Sequence, residues 1–247
     1  MTDVGRFDGK VVIVTGSSSG IGEAAARAFD AEGAQVVVNS SSSVEAGEAV
    51  AGSLAKGMYI RADVSDAEES ERLIATTVER FGRLDVLVNN AGVTQVIAHA
   101  DLDAVTDEVF RRILEVNLLG TFRLIRLAMP HLKASGDGSV VNVTSVAGLR
   151  PTGSSVPYAV SKAALNHLTL LLANVTGPEV RVNAVAPGLV RTPWTADWGI
   201  VHDSMKDRAP LGRSGEPDDI ASVILDVAGS PYVTGQVVAV DGGFSLR

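Results

Sequence analysis

The sequence predicts an α/β fold in a single domain: a doubly wound parallel sheet of about seven strands with helices on both faces. Three observations carry that expectation. Short runs rich in Val and Ile alternate with longer helical patterns, the order of βαβ units. The runs are apolar throughout rather than at every second residue, as parallel strands buried on both faces require. No linker, internal repeat or low-complexity block divides the 247 residues, since the four serines at 40–43 are too short to be one.

Taken in order, strands are expected at residues 11–15, 35–39, 58–61, 86–89, 139–144, 180–185 and 236–240. The helices between them carry local start and stop signals. Ser42 with Glu45 and Ser65 with Glu68 have the spacing of capping boxes, and Pro217 opens a helix that Gly229 closes. The acidic run 66–71 reads as a solvated helix start, favoured at the positive end of the dipole. Helices at 113–129 and 158–175 are apolar around nearly their whole circumference. A helix between sheet and water should show a polar stripe, so both are expected to be buried all round, in a homo-oligomer (dimer or tetramer) or deep in a large core. Residues 193–215 show no clear period yet contain Trp194, Trp198, Ile200, Val201 and Met205. They are expected to form a substrate lid, unless the tryptophans only anchor the loop.

Composition narrows the partners. A formal net charge of −8 gives no attractive field for nucleic acid or anionic lipid, which leaves a small molecule as the expected partner. The absence of cysteine removes disulfides, thiolate catalysis and Cys-based metal sites, and points to a cytoplasmic setting. The first ten residues are polar and charged, and the apolar stretches 118–129 and 165–175 are interrupted or too short, so neither a secretory leader nor a membrane span is expected. His99, His131, His167 and His202 lack ligand spacing, and no catalytic metal is expected.

The first strand runs through Gly16, Ser17, Ser18, Ser19, Gly20, Ile21 and Gly22 into a helix beginning near Gly20. Glycine lets the backbone turn tightly and approach phosphates, while the helix N-terminus offers unpaired N–H groups and a positive dipole end. The bland alternative is an ordinary turn, but a first βα unit is where a dinucleotide site belongs. Tyr158 and Lys162 lie four apart at a helix start, which puts both on one face. A tyrosine titrates near 10, and a neighbouring ammonium would lower that value toward a range useful for proton transfer. Alone, such a pair is usually a surface contact. Ser145 lies just past the fifth strand, at the sheet edge where ligands bind, and its hydroxyl can orient a carbonyl. Asn117 interrupts the apolar run 114–119 and needs hydrogen-bond partners, whether as a core polar group or as part of a site.

The glycine spacing Gly-x-x-x-Gly-x-Gly, the run Asn89, Asn90, Ala91, Gly92, then Ser145, Tyr158-x-x-x-Lys162 and Pro187-Gly188 together resemble the single-domain branch of the short-chain dehydrogenase/reductase family, over roughly residues 8–244. The resemblance implies a Rossmann-type fold and hydride transfer between a nicotinamide and a carbonyl or alcohol. Within it, Tyr158 exchanges the proton, Ser145 steadies the oxygen, Lys162 also holds the ribose and Asn117 supports a proton relay. It further places Val190 and Thr192 at the carboxamide, and Asp63 with Val64 at the adenine. Cofactor choice departs from clearer patterns: the second strand ends Asn39, Ser40, Ser41, Ser42, with no carboxylate to hold a 2′-hydroxyl and no Arg or Lys to accept a 2′-phosphate, and Ser19 stands where relatives often carry a basic residue. NADP(H) is favoured and NAD(H) stays open. Three other readings compete: a non-catalytic dinucleotide sensor, an epimerase or dehydratase of the longer relatives, and, within the oxidoreductases, a 3-ketoacyl thioester reductase.

Overall fold

Seven strands form one parallel sheet in the order β3-β2-β1-β4-β5-β6-β7: β1 (Val11–Val14), β2 (Gln35–Ser40), β3 (Gly57–Arg61), β4 (Val86–Asn89), β5 (Gly138–Val143), β6 (Val180–Pro187) and β7 (Val237–Val240). Each expected strand is present, with ends shifted by at most two residues. The computed structural model describes residues 5–246, so the first four of the ten polar and charged opening residues lie outside it. Strand order reverses between β1 and β4, and the crevice above their carboxyl ends is where ligands bind in such sheets.

β1, β4 and β5 are buried at every position, which explains their continuous Val, Ile and Leu. One face carries α1 (Gly20–Ala31), α2 (Val44–Ser53) and α8 (Pro217–Gly229), whose Phe29, Ile220 and Ile224 enter one core. The other carries α3 (Ala67–Phe81) and α5 (Thr121–Ala134), with Leu73, Leu124, Ile125 and Leu132 in a second core. Among the described residues no helix is long and apolar enough to cross a membrane.

Four expectations need correction. The capping signals sit one residue away from where the sequence places them. Ser43, not Ser42, precedes α2 and makes no side-chain cap, whereas Asp66 caps α3 by accepting from Glu69 N at 2.9 Å. Ser65 is unavailable there because its hydroxyl donates to Asp63 at 2.6 Å. The helix expected at 113–129 is part of a longer one: α4 (Asp107–Leu114) passes through a π-turn (Glu115–Gly120) into α5. Residues 193–215 are not irregular throughout, since α7 (Gly199–Arg208) lies within them. Its period is hidden because His202 and Met205 face the core while the apolar Ile200 and Val201 are exposed.

The last correction concerns α6 (Val156–Thr176). Its buried side is largely polar, with Ser161, Lys162, Asn166 and Thr169, while Leu170, Leu171 and Val175 are 44%, 54% and 68% exposed in the single chain. Leu119 and Phe122 of the neighbouring helical stretch are exposed as well. The chain's own core therefore does not explain this apolarity.

Candidate active site

The glycine loop is shaped by contacts that leave no room for a side chain. Gly16 has φ +62°, and a Cβ there would lie 2.9 Å from the Ala91 Cα; one on Gly22 would lie 2.4 Å from the Gly16 carbonyl oxygen. Asn90 locks the loop by donating from Nδ2 to the Thr15 and Gly16 carbonyls, each at 2.9 Å. Thr15 Oγ1 in turn accepts from Asn90 N and Ala91 N at 3.0 Å. The loop feeds the N-terminus of α1, where the cap residue Ser19 makes no side-chain bond to the helix. Backbone N–H groups thus converge on a space open to an anion.

That space belongs to a cleft of about 1060 Å³, lined by Gly16, Ser19, Gly20, Ile21, Asn90, Ala91 and Gly92 at one end and by Ser145, Tyr158, Lys162, Pro187, Gly188, Val190 and Thr192 further along. Residues 170 positions apart in the chain meet because every one of them follows a strand or opens a helix at the same sheet edge. Ligand sites of drug size occupy roughly 300–1,000 Å³, so the cleft has room for more than one small group. A glycine cradle that a single Cβ would fill, at a helix N-terminus, fits the pyrophosphate of a dinucleotide.

Ser145 ends the chain's path out of β5, and its Oγ accepts from Ala147 N at 3.1 Å, which fixes the hydroxyl. Tyr158 and Lys162 share the buried face of the first turns of α6, and Lys162 Nζ lies 5.7 Å from the Tyr158 ring centroid. The ammonium donates to the Val143 carbonyl at 2.9 Å and is 4% exposed as a residue. Burial lowers Lys162 to about 8. Burial also raises the Tyr158 phenol above its usual value, opposed by a hydrogen bond with Ser145. The ammonium is turned to Val143, so desolvation of the phenolate is the larger influence on the phenol in this arrangement. At neutral pH the tyrosine therefore holds its proton and the lysine its charge.

Asn117 sits in the π-turn and is 1% exposed. Its Nδ2 donates to Val93 O and Ser161 Oγ, both at 3.0 Å, and its Oδ1 accepts from Val93 N at 2.8 Å. It thus joins the strand exit after Gly92 to the Tyr158 helix.

The expected adenine-side residues lie outside the cleft's lining and are mostly turned inward. Asn39 Nδ2 donates to Ile60 O and Ala62 O at 3.1 and 3.0 Å, and Ser40 Oγ bonds Tyr59 and donates to Ser43 O. Ser41 and Ser42 are exposed, Ser18 is partly exposed, and Val64 is buried. Asp63 accepts from Ser65 N and Oγ; although burial pushes its carboxyl up, these bonds and Arg112 hold it below the usual value.

Several residues escaped the sequence reading. Val96, Ile97, Ala98 and His99 line the same cleft, pinned where Ile97 N donates to Ser154 O at 2.8 Å. Their only signal is position, directly after Gly92. Trp194 meets Tyr158 edge-on with centroids 6.3 Å apart, and Trp198, Ile200, Val201 and Met205 continue the apolar lining. His202 is structural: Nδ1 pairs with Ser214 Oγ at 2.8 Å and Nε2 with Thr195. Arg208 stacks over Phe244 at 4.8 Å, both lining the cleft.

Comparison with known proteins agrees with this geometry. A family profile described as Enoyl-(Acyl carrier protein) reductase matches residues 16–245. The chain is 54% identical over 239 residues, 96% of both chains, to a Streptomyces violaceoruber protein assigned as ketoacyl reductase 2 of the granaticin polyketide synthase. It is 38% identical to the 3-oxoacyl-acyl-carrier-protein reductase of Thermotoga maritima, covering 98% of this chain and 100% of that one. Among solved structures, a short-chain dehydrogenase/reductase of the glucose/ribitol dehydrogenase type from Brucella melitensis superposes with a TM-score of 0.91 at 34% identity, over 97% of this chain and 98% of that one. The chain belongs to the short-chain dehydrogenase/reductase family and is a nicotinamide-dependent oxidoreductase of CH–OH and C=O groups.

Proposed function

We propose that the protein is a carbonyl reductase that prefers NADP(H), with one domain carrying both cofactor and substrate sites and residues 193–215 as the lid. The observation that carries the reading is the meeting of Ser145, Tyr158 and buried Lys162, its Nζ 5.7 Å from the Tyr158 ring centroid, in the same cleft as the glycine cradle. When bound, the nicotinamide supplies or takes the hydride. The chain's residues do the rest: Ser145 steadies the carbonyl oxygen, and Tyr158, protonated at neutral pH, donates the proton that the new alcohol needs. Lys162 keeps a positive charge near the phenolate as the proton leaves and holds the ribose, while Asn117 supports the path that reprotonates Tyr158.

NADP(H) is supported by the end of β2, which offers exposed Ser41 and Ser42 and no carboxylate to repel a 2′-phosphate. The similarity to proteins named as ketoacyl reductases favours a 3-ketoacyl thioester as substrate, and the apolar wall of Val96, Trp194, Trp198 and Ile200 suits an acyl chain or ring system. The exposed leucines of α6, with Phe122, support a homo-oligomer, a dimer or tetramer, that covers them. With a charge of −8 and no cysteine, a cytoplasmic enzyme without nucleic-acid or membrane partners is the fitting setting.

The test is an absorbance assay of the purified protein with NADPH and NADH against simple ketones, cyclic ketones and a 3-ketoacyl thioester. Oxidation of NADPH with the thioester or a bulky ketone is expected. Faster turnover with NADH would overturn the cofactor preference, and no turnover with any ketone would favour a sensor.

A further inference from the structure

The turn after β3 is gripped from outside by two arginines that the proposed chemistry does not use. Arg123 of α5 donates from Nη1 to two successive carbonyls, Val64 O at 3.0 Å and Ser65 O at 2.9 Å. Its Nη2 pairs with Glu115 at 2.9 Å, and the side chain is only 20% exposed, so the guanidinium is held at both ends. Arg112 of α4 reaches the same turn, donating from Nη1 to Ser65 Oγ at 2.9 Å and lying 3.5 Å from Asp63 Oδ2.

One peptide plane shows what the grip achieves. The plane between residues 64 and 65 presents its carbonyl to Arg123 and its N–H to Asp63 Oδ1, at 3.0 and 2.8 Å. Fixing the carbonyl fixes the N–H on the opposite side of that plane, and through it the Asp63 carboxylate. The helix comes close enough to do this because the π-turn ends in Gly120, where a Cβ would stand 2.6 Å from Val64 O. A turn held this way has little freedom left to lose when a ligand arrives, which is how preorganisation strengthens binding.

We infer that Arg123, assisted by Arg112, is a positioning residue that presets the Asp63–Ser65 turn for the adenine half of the dinucleotide. The inference rests on the proposed cofactor site. Neither arginine lines the cleft; both act through the peptide plane and carboxylate of the turn that follows β3, at the carboxyl edge of the sheet over which a dinucleotide lies.

Calorimetric titration of the purified protein separates the two halves of the cofactor, with ADP as the adenine half and reduced nicotinamide mononucleotide as the other. Arg123→Met should weaken ADP about tenfold, and Arg123→Lys, which keeps one donor, should recover part of the loss. Arg112→Gln, at an exposed position that does not threaten folding, should weaken ADP about threefold. Nicotinamide mononucleotide should bind all variants as it binds the parent. Unchanged ADP affinity in Arg112→Gln and in any folded Arg123 variant overturns the clamp, as does equal weakening of both halves, which marks general loosening. A parent that binds neither half overturns the cofactor reading itself, and the clamp with it.

Discussion

Two stretches of the sheet's carboxyl edge solve opposite problems with similar residues. At the β2–β3 end, Asn39, Ser40 and Asp63 turn their polar atoms into the protein, toward Ile60, Ala62, Tyr59 and Ser65. At the β4–β6 end, Ser145, Tyr158 and Lys162 line an open cleft and are held by single backbone or side-chain contacts. The first is a shape made rigid by its own hydrogen bonds; the second holds two groups, Tyr158 and Lys162, whose pKa values burial shifts. Binding and chemistry should therefore fail separately, and this division can be attacked from either side.

The largest effect is expected from Tyr158→Phe, which removes the proton donor and keeps the ring against Trp194. Turnover should fall by about 10²–10⁴ while cofactor affinity stays within about twofold of the parent. Near-normal turnover would show that the β4–β6 end does not hold the chemistry. Next comes Gly22→Ala. Its methyl would overlap the Gly16 carbonyl and the Asn90 amide, at 2.4 and 2.5 Å, in a loop with no slack. Overpacking of this kind costs about 1–3 kcal/mol, so a lower melting temperature and roughly tenfold weaker cofactor binding are expected. A variant with parental melting and binding would mean the cradle is softer than its contacts indicate.

The last effect, smallest near neutral pH, is a pH dependence. Lys162 titrates at about 8, so its charge is present below that pH and lost above it. Tyr158 is raised and stays protonated across the same range. The kcat/KM for ketone reduction should hold level toward pH 7 and fall by about tenfold per unit well above 8. A profile flat to pH 10 would show that the lysine charge is not used.

Much of the molecule could be read from residue order. The strands were legible because β1, β4 and β5 are buried on both faces and so carry unbroken apolar runs. The pairing of Tyr158 with Lys162 was legible because they sit one helical turn apart, and a period of 3.6 makes them neighbours without any tertiary information. Helix α7 was not, since its apolar residues face both core and cleft and leave no single stripe. The α3 cap was misplaced because Ser65 and Asp66 are adjacent candidates, and the Asp63–Ser65 bond engages the serine.

The sequence alone determined the alternation of strands and helices, the glycine loop and the spacing of the proton-transfer pair, because these depend on neighbours in the chain. Tertiary structure decided the rest. The raised Tyr158 phenol and the lowered Lys162 ammonium follow from burial that only the closed fold creates, and the burial of polar rather than apolar residues on α6 follows from where the cleft lies. The hold of Arg112 and Arg123 on a turn about 50 residues earlier depends on a π-turn that no local pattern announces.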